Sequence, residues 1–216
     1  MTDNMSAAEH LHILLRELER EINTDKKLAL HTNNRFNKQF SVLLRDWNYL
    51  KIIVERLESG DPESATQLAL DLKSLYVFGR VFSESVLYIC SLFIDDSTKI
   101  KWDKIGDFVV GMEKDINSQG EKTKNFWMNV GGSIKILNKA FRYRNEVLHG
   151  KESTTEWTFA WPGRSNLDHV FIQNVPWPED KGKKKEQRSL NAKMLIQILE
   201  NEVPKIFYYL KTIKNY

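Results

Sequence analysis

The chain has 216 residues, of which 41% are hydrophobic and 28% are charged, and its formal net charge is +3 at pH 7. This length and hydrophobic content suit a single globular domain over residues 1–216 with a sizeable core. The mild positive charge permits a nucleic-acid partner without requiring one. The lone cysteine, Cys90, excludes an internal disulfide and any multi-cysteine zinc site.

We expect neither a membrane span nor a signal peptide. Its most apolar run, Val86 to Ile94, is far shorter than the ~20 residues of a spanning helix. The first residues are polar and include Asp3 and Glu9, unlike a secretory signal. We therefore expect a cytoplasmic protein without membrane contact, in which Cys90 is a small buried hydrophobe.

The N-terminal part predicts two helices. Apolar residues at helical spacing form one stripe over residues 6–22. The most regular pattern of the chain follows between Phe36 and Leu57, where apolar residues recur at alternating steps of four and three. Gly60 ends this pattern. The two stripes together offer more apolar surface than one small bundle easily covers, which favours a homodimer.

A third helix is predicted over residues 62–94. It is apolar on most sides towards its end, which is typical of a helix at the centre of a bundle. Arg80 and Glu84 lie one turn apart within it, and two interpretations remain open. They form an ion pair on the helix surface, or Glu84 faces and compensates an arginine of another helix, Arg144.

That arginine interrupts a long helix predicted from about Lys122 to Leu148, after a shorter helix between Trp102 and Ile116. The apolar seam of the long helix consists of Val130, Ile134, Leu137 and Phe141. The next seam position is occupied by Arg144. Burial of a guanidinium costs several kcal/mol, as an order of magnitude, unless a partner compensates it.

After Lys151 the spacing changes from helical to alternating. Aromatic residues occupy every second position from Trp157 to Trp161, a Pro-Gly turn follows, and Val170-Phe171-Ile172 comes next. This pattern predicts a β-hairpin at about 155–175. Its aromatic side chains either cover the bundle or stack on RNA bases.

The C-terminal part predicts a loop and one more helix. The loop at about 176–188 has a basic tip that includes Lys183, Lys184 and Lys185. Ser189 caps the last helix, for which we expect a kink near Pro204. The predicted fold is therefore all-α: a helical bundle of about five or six helices with a β-hairpin inserted before the C-terminal helix.

Several common catalytic motifs are absent from the sequence. It contains no phosphate-binding glycine loop, no G-x-S-x-G and no H-E-x-x-H. Nucleotide-driven and zinc-protease chemistries therefore have no support, and we expect neither a cofactor nor a metal. The adjacent Asp168 and His169 point to opposite faces of a strand, so we interpret them as a chance pair.

Arg144, Asn145 and His149 are the polar groups that the sequence places at the end of the long helix. Residues five apart on an ideal helix are separated by about 140°, so Arg144 and His149 do not share a face. They can converge if Gly150 loosens the last turn. Alternatively, a second copy of the chain supplies the partner residue across a two-fold axis.

The pattern Arg144-Asn145-x-x-x-His149 resembles the R-x(4–6)-H motif of the HEPN superfamily. The resemblance implies a compact, usually dimeric helical bundle and a metal-independent endoribonuclease of a toxin–antitoxin or antiviral defence system. RNA, an antitoxin or a nucleotidyltransferase would be its partners. One HEPN toxin subgroup has a tyrosine, modified by such a transferase, two positions after the histidine. Here that position is Lys151.

The chemistry of these side chains suits RNA cleavage, independently of the resemblance to a family. Cleavage without a metal needs a side chain that can accept the proton of the 2′-hydroxyl. The imidazole of His149 is suited to this, because the unperturbed pKa of histidine is about 6.5. The guanidinium of Arg144 can neutralise the phosphorane, while Asn145 holds the phosphate or orients a side chain. The residues expected to hold the RNA backbone are basic: Arg142, Lys151, Lys183, Lys184 and Lys185.

Two other hypotheses remain open. The chain is a non-catalytic HEPN-like module that binds RNA or a protein, or it is a structural protein. In the structural case Arg144 is a buried arginine paired with Glu84 or Glu146, and His149 merely ends a helix.

Overall fold

The computed structural model of the chain describes residues 12–17, 19–20, 30–58, 65–94, 100–141, 171–172 and 190–214. Most of these residues are helical, which confirms the prediction of an all-α architecture. No helix in the described ranges has both the length and the apolar content that a bilayer span requires.

Six α-helices lie in the described ranges. Their bounds are residues 12–17 and 19–20 for α1, Leu30–Glu58 for α2, Ala65–Ser91 for α3, Ile105–Asp115 for α4, Glu121–Ala140 for α5 and Ala192–Lys214 for α6. A short 3-10 turn, Ile116–Ser118, follows α4.

Helices α2 and α3 pack along each other, and α5 packs along α6. Helix α4 lies against α5 and α3, while α6 also contacts α2 and α3. The regular pattern of α2 faces this core, as predicted, and its described seam residues are all buried: Phe40, Leu43, Trp47, Leu50, Val54 and Leu57. The rings of Trp47 and Phe82 join α2 to α3 with centroids 5.5 Å apart.

Helix α3 is the central helix of the bundle, as its composition predicted. It contacts α2, α4, α5 and α6, and its last turns are buried on several sides through Phe82, Val86, Leu87, Ile89 and Cys90. The helix ends at Ser91, slightly before the predicted residue 94. There the Leu92 N–H bonds the Ile89 carbonyl at 3.1 Å, a tighter turn than an α-helix makes.

The prediction of one continuous helix from 122 to 148 is wrong, because α5 ends at Ala140. Its seam is nevertheless as predicted, since Val130, Ile134 and Leu137 are buried. The backbone of Phe141 leaves the helical region, with φ −110° and ψ 20°. Its buried ring packs on α3, and this tertiary contact outweighs the local preference for further helix.

Two short strands pair near the start of α6. Strand β1 (Phe171–Ile172) is antiparallel to β2 (Leu190–Asn191). This pairing is not the predicted hairpin at 155–175, whose other residues lie outside the described ranges, as does the basic loop at 176–188. Helix α6 begins at Ala192, later than the predicted cap at Ser189, because Leu190 and Asn191 are extended and bonded to β1.

Candidate functional site

The described part of the segment that carries the motif ends at Phe141, three residues before Arg144. The Phe141 ring is fully buried, and its backbone N–H donates to the Leu137 carbonyl at 3.3 Å. A Cβ atom added at Gly79 would lie 2.0 Å from Cε1 of the ring, so the ring rests directly on the α3 backbone. The Tyr76 ring meets it edge-on at 6.4 Å. These contacts fix the end of α5 against α3.

Arg80 follows Gly79 on α3 and is held by side chains of two helices. Its Nε donates to Oε1 of Glu84 at 2.8 Å, and its Nη1 donates to Oδ1 of Asn138 on α5 at 2.8 Å. Its Nη2 lies 3.2 Å from the position that a Cβ atom would take at Gly106 of α4. Three helices therefore meet at one guanidinium. Because the Arg80 side chain is only 14% exposed, its orientation is restricted.

A cleft of about 870 Å³ opens beside Arg80 between α3, α4 and α5, and Phe141 forms part of its wall. Four basic and four acidic side chains line it: Arg80, Lys104, Lys135 and Lys139, with Glu84, Asp103, Asp107 and Glu113. The formal charge of the lining is therefore balanced. An anion would be held here by individually placed cations, since the lining has no excess of one sign.

A second ion pair joins the two helices of the outer wall of the cleft. Lys135 of α5 lies 2.7 Å from Oε1 of Glu113 on α4, and its ammonium group lies 5.2 Å from the centre of the Trp127 ring. Both ion-pair side chains are about half exposed, so solvent screens the pair and it contributes little stability. It restricts the position of Lys135 at the cleft mouth.

Arg80 has the chemistry of a phosphate-binding group. A guanidinium carries five N–H donors, and the bonds to Glu84 and Asn138 use two of them. Further donors of a preoriented arginine can bond a phosphate oxygen, and such charge-assisted bonds are strong. Among the described residues there is no group of three or more side chains that could hold a metal ion.

Of the predicted site residues, Glu84 is the one that lies within the described ranges. It pairs with Arg80, as the first of its two interpretations predicted. Whether it also faces Arg144 stays a prediction. The remaining predicted site residues lie outside the described ranges: Arg142, Arg144, Asn145, His149, Lys151, Lys183, Lys184 and Lys185.

Asn138 is a residue of this cleft that the sequence did not predict. It is 58 positions away from Arg80, so no local spacing joins the two. A polar residue beside a buried seam residue such as Leu137 is ordinary on an amphipathic helix. The one feature of the sequence that could have identified Asn138 as a site residue is its position one turn before Arg142, near the end of α5.

Asp46 and Cys90 are two of the buried titratable groups outside the cleft in the described ranges. Burial raises the pKa of the Asp46 carboxyl, although the neighbouring Arg45 guanidinium acts in the opposite direction. Burial also raises the pKa of the Cys90 thiol, which is fully enclosed. A thiol kept protonated in this way is a poor nucleophile. The prediction that Cys90 is a buried hydrophobe is confirmed.

Comparisons of the chain with protein family models, with curated proteins and with solved structures find no match. The resemblance to the HEPN superfamily stays a prediction that the motif residues carry.

Proposed function

We propose that the chain is a metal-independent endoribonuclease of HEPN type, a toxin or antiviral defence component of the cytoplasm. One observation supports the proposal most. Arg80 is held by Glu84 and Asn138 in a cleft whose wall includes Phe141, three residues before Arg144. RNA cleavage needs fixed positive charge and room for the RNA strand. The cleft supplies both, and we propose that His149 lies beside it.

In the proposed reaction His149 acts as a general base and removes the proton from a 2′-hydroxyl of RNA. The 2′-oxygen bonds the adjacent phosphorus, and the bond from phosphorus to the 5′-oxygen of the next nucleotide breaks. The leaving oxygen takes a proton from an imidazolium or from water. Arg144 neutralises the phosphorane, and Asn145 holds the scissile phosphate or orients a side chain. The products are a 2′,3′-cyclic phosphate and a 5′-hydroxyl.

Arg80 acts in this proposal as a positioning residue that bonds a phosphate next to the scissile one. Basic residues near the motif and in the loop, such as Arg142 and Lys151, contact the backbone of the RNA. We further propose a symmetric homodimer in which both copies of the motif line one cleft. An antitoxin or a nucleotidyltransferase is the expected protein partner.

The decisive experiment is incubation of the purified protein with labelled RNA in the presence of EDTA. His149→Ala should slow cleavage by roughly 100-fold or more, the usual contribution of a general base. Arg144→Ala should slow it by roughly 100-fold through lost stabilisation of the phosphorane. Both variants should retain the helical circular dichroism of the wild type. His169→Ala is the matched control, since it removes another imidazole that we interpret as uninvolved, and it should cleave normally.

The identity of the product and the behaviour of the variants separate the hypotheses. Mass spectrometry should find a terminal 2′,3′-cyclic phosphate. Cleavage that persists in both motif variants would remove Arg144 and His149 from the mechanism. A wild-type protein that cleaves no RNA at high concentration would instead favour the non-catalytic module.

One contact favours the alternative of a non-catalytic module. Glu84 is already paired with Arg80 at 2.8 Å, and the pair is only partly exposed. A Glu84 engaged in this way offers less compensation to a second arginine, Arg144, than a free carboxylate would. The alternative function is a HEPN-like module that binds RNA or a protein without cleaving it.

A further inference from the structure

The solvent face of helix α2 carries a row of cationic and aromatic side chains. With 100° per residue on an ideal helix, five of its positions fall within an arc of about 60°. We name this row the α2 stripe, and it consists of Lys38, Arg45, Tyr49, Ile52 and Arg56. All five side chains are exposed. The stripe spans about 27 Å from its first to its last residue, at 1.5 Å per residue.

Two buried carboxylates hold the arginines of the stripe. Nε and Nη2 of Arg45 both donate to Oδ1 of Asp46, at 3.1 and 3.0 Å, while the Arg45 side chain stays 58% exposed. Arg56 is likewise paired with the buried Asp71 of α3 and stays half exposed. The pairing cancels part of the long-range charge. In return it orients the guanidinium groups, and Arg45 keeps three of its five N–H donors outside this pair.

The charged residues around the stripe leave an excess of positive charge on this face. Between residues 34 and 56, the exposed charged residues of α2 are four basic and one acidic: Arg35, Lys38, Arg45 and Arg56, with Glu55. The buried carboxylates of Asp46 and Asp71 offset two of these cations, so a net excess of one positive charge remains. Glu55 lies about 60° beyond the edge of the stripe on an ideal helix. The lining of the cleft, counted in the same way, has no net charge.

An exposed aromatic ring lies in the middle of the stripe. Tyr49 is 44% exposed, and one side of its ring rests on Phe78 of α3, with ring centroids 5.4 Å apart. The two rings are tilted by 51°, so Tyr49 is held against the bundle while part of its ring stays exposed to solvent. Nucleic-acid bases stack on rings in this position, whatever their sequence.

We propose that the α2 stripe is a binding surface for single-stranded RNA, with phosphates on the cationic side chains and a base stacked on Tyr49. Cations separated by an aromatic ring match the alternation of phosphates and bases along a single strand. Double-stranded RNA fits less well, because an A-form major groove is too narrow to admit a helix. The choice of RNA rests on the proposed ribonuclease function, whereas the binding mode rests on the stripe.

The test is the affinity of the full-length protein for a labelled, 2′-O-methylated single-stranded RNA, which cannot be cleaved by 2′-hydroxyl attack. Fluorescence anisotropy is measured over a range of salt concentrations. In the double variant Lys38→Gln/Arg45→Gln, the glutamine at 45 can still donate to Asp46, so the fold should persist. The matched control is Lys101→Gln/Lys114→Gln, which removes two exposed lysines from the region of α4.

Loss of two phosphate contacts should lower the slope of log K against log salt by ~1.4, at ~0.7 per contact on a single strand. If the variant and the wild type bind equally at 1 M salt, this difference in slope makes the Kd of the variant roughly 25-fold higher than that of the wild type at 0.1 M salt. Tyr49→Ala should weaken binding by roughly 5-fold or more through lost stacking, and Tyr49→Phe should bind normally. The control pair should change the Kd by less than about 2-fold, as it contributes only long-range charge.

The outcomes distinguish this inference from the proposed ribonuclease. Stripe variants that bind like the wild type would overturn the stripe, even if the wild type cleaves RNA and His149→Ala does not. Binding that depends on the stripe, in a protein that cleaves nothing, would leave the stripe standing and remove the ribonuclease. A wild type that binds no RNA at low salt would refute the proposal that the α2 stripe binds RNA and would favour a protein ligand for this surface.

Discussion

The contact between Gly79 and Phe141 yields the sharpest prediction, because it joins the central helix to the segment that leads into the motif. In Gly79→Ala the new methyl group would lie 2.0, 2.4 and 2.6 Å from three carbon atoms of the Phe141 ring. No Cβ atom tolerates such distances, and the ring is buried. Either the ring leaves its site or α3 and α5 move apart.

The expected loss of stability follows from two opposing effects. Overpacking of a core costs about 1–3 kcal/mol, and the short distances here place this substitution at the upper end. Alanine recovers about 1 kcal/mol of helix propensity. We therefore expect a net loss of roughly 2 kcal/mol, or a Tm lower by about 4–8 °C for a chain of this size.

Gly132→Ala is the matched control for this substitution. Gly132 is exposed on α5, and a Cβ atom there would have no neighbour within 4 Å. The same change should then stabilise the protein by about 0.5–1 kcal/mol through helix propensity alone. The two alanine variants are predicted to shift the thermal unfolding midpoint in opposite directions.

A second substitution tests the cause. In a Phe141→Leu background the smaller side chain leaves room, so Gly79→Ala should cost less there by about 0.5–3 kcal/mol, the usual coupling of residues in contact. Urea unfolding of the four proteins of this cycle gives the coupling energy. An equal cost in both backgrounds, or a Gly79→Ala protein as stable as the wild type, would refute the argument.

Two further predictions concern Asp46 and Cys90, whose titratable groups are buried. Folding raises the pKa of Asp46. Between the ordinary aspartate pKa and the raised one, the native state therefore binds more protons than the unfolded state. The free energy of unfolding falls as the pH rises through that window. Asp46→Asn should therefore gain stability relative to the wild type as the pH rises from 4 to 7 in thermal melts, whereas the exposed control Asp103→Asn should not. For Cys90, iodoacetamide at pH 8 should label the thiol only after unfolding in urea, since burial keeps it protonated and inaccessible. Stoichiometric labelling of the native protein within minutes would contradict this expectation.

The sequence by itself determined the helices and the faces that they bury. Apolar residues at steps of three and four identified the seams of α2 and α5 and the central position of α3, because burial of one helix face is a periodic property of the chain. The composition of its neighbours likewise indicated that Cys90 is buried. The ion pair of Arg80 and Glu84 was foreseeable because its members are one helical turn apart.

Tertiary structure decided where α5 ends and what surrounds Arg80. The seam that includes Phe141 predicted more helix, but the ring packs on Gly79, and no periodicity encodes a contact between residues so far apart in sequence. Asn138 joins Arg80 across 58 positions for the same reason. The α2 stripe depends on both the sequence and the tertiary structure. The spacing of its residues is visible in the sequence. The carboxylate of Asp71 that holds Arg56 comes from another helix, and only packing brings it there.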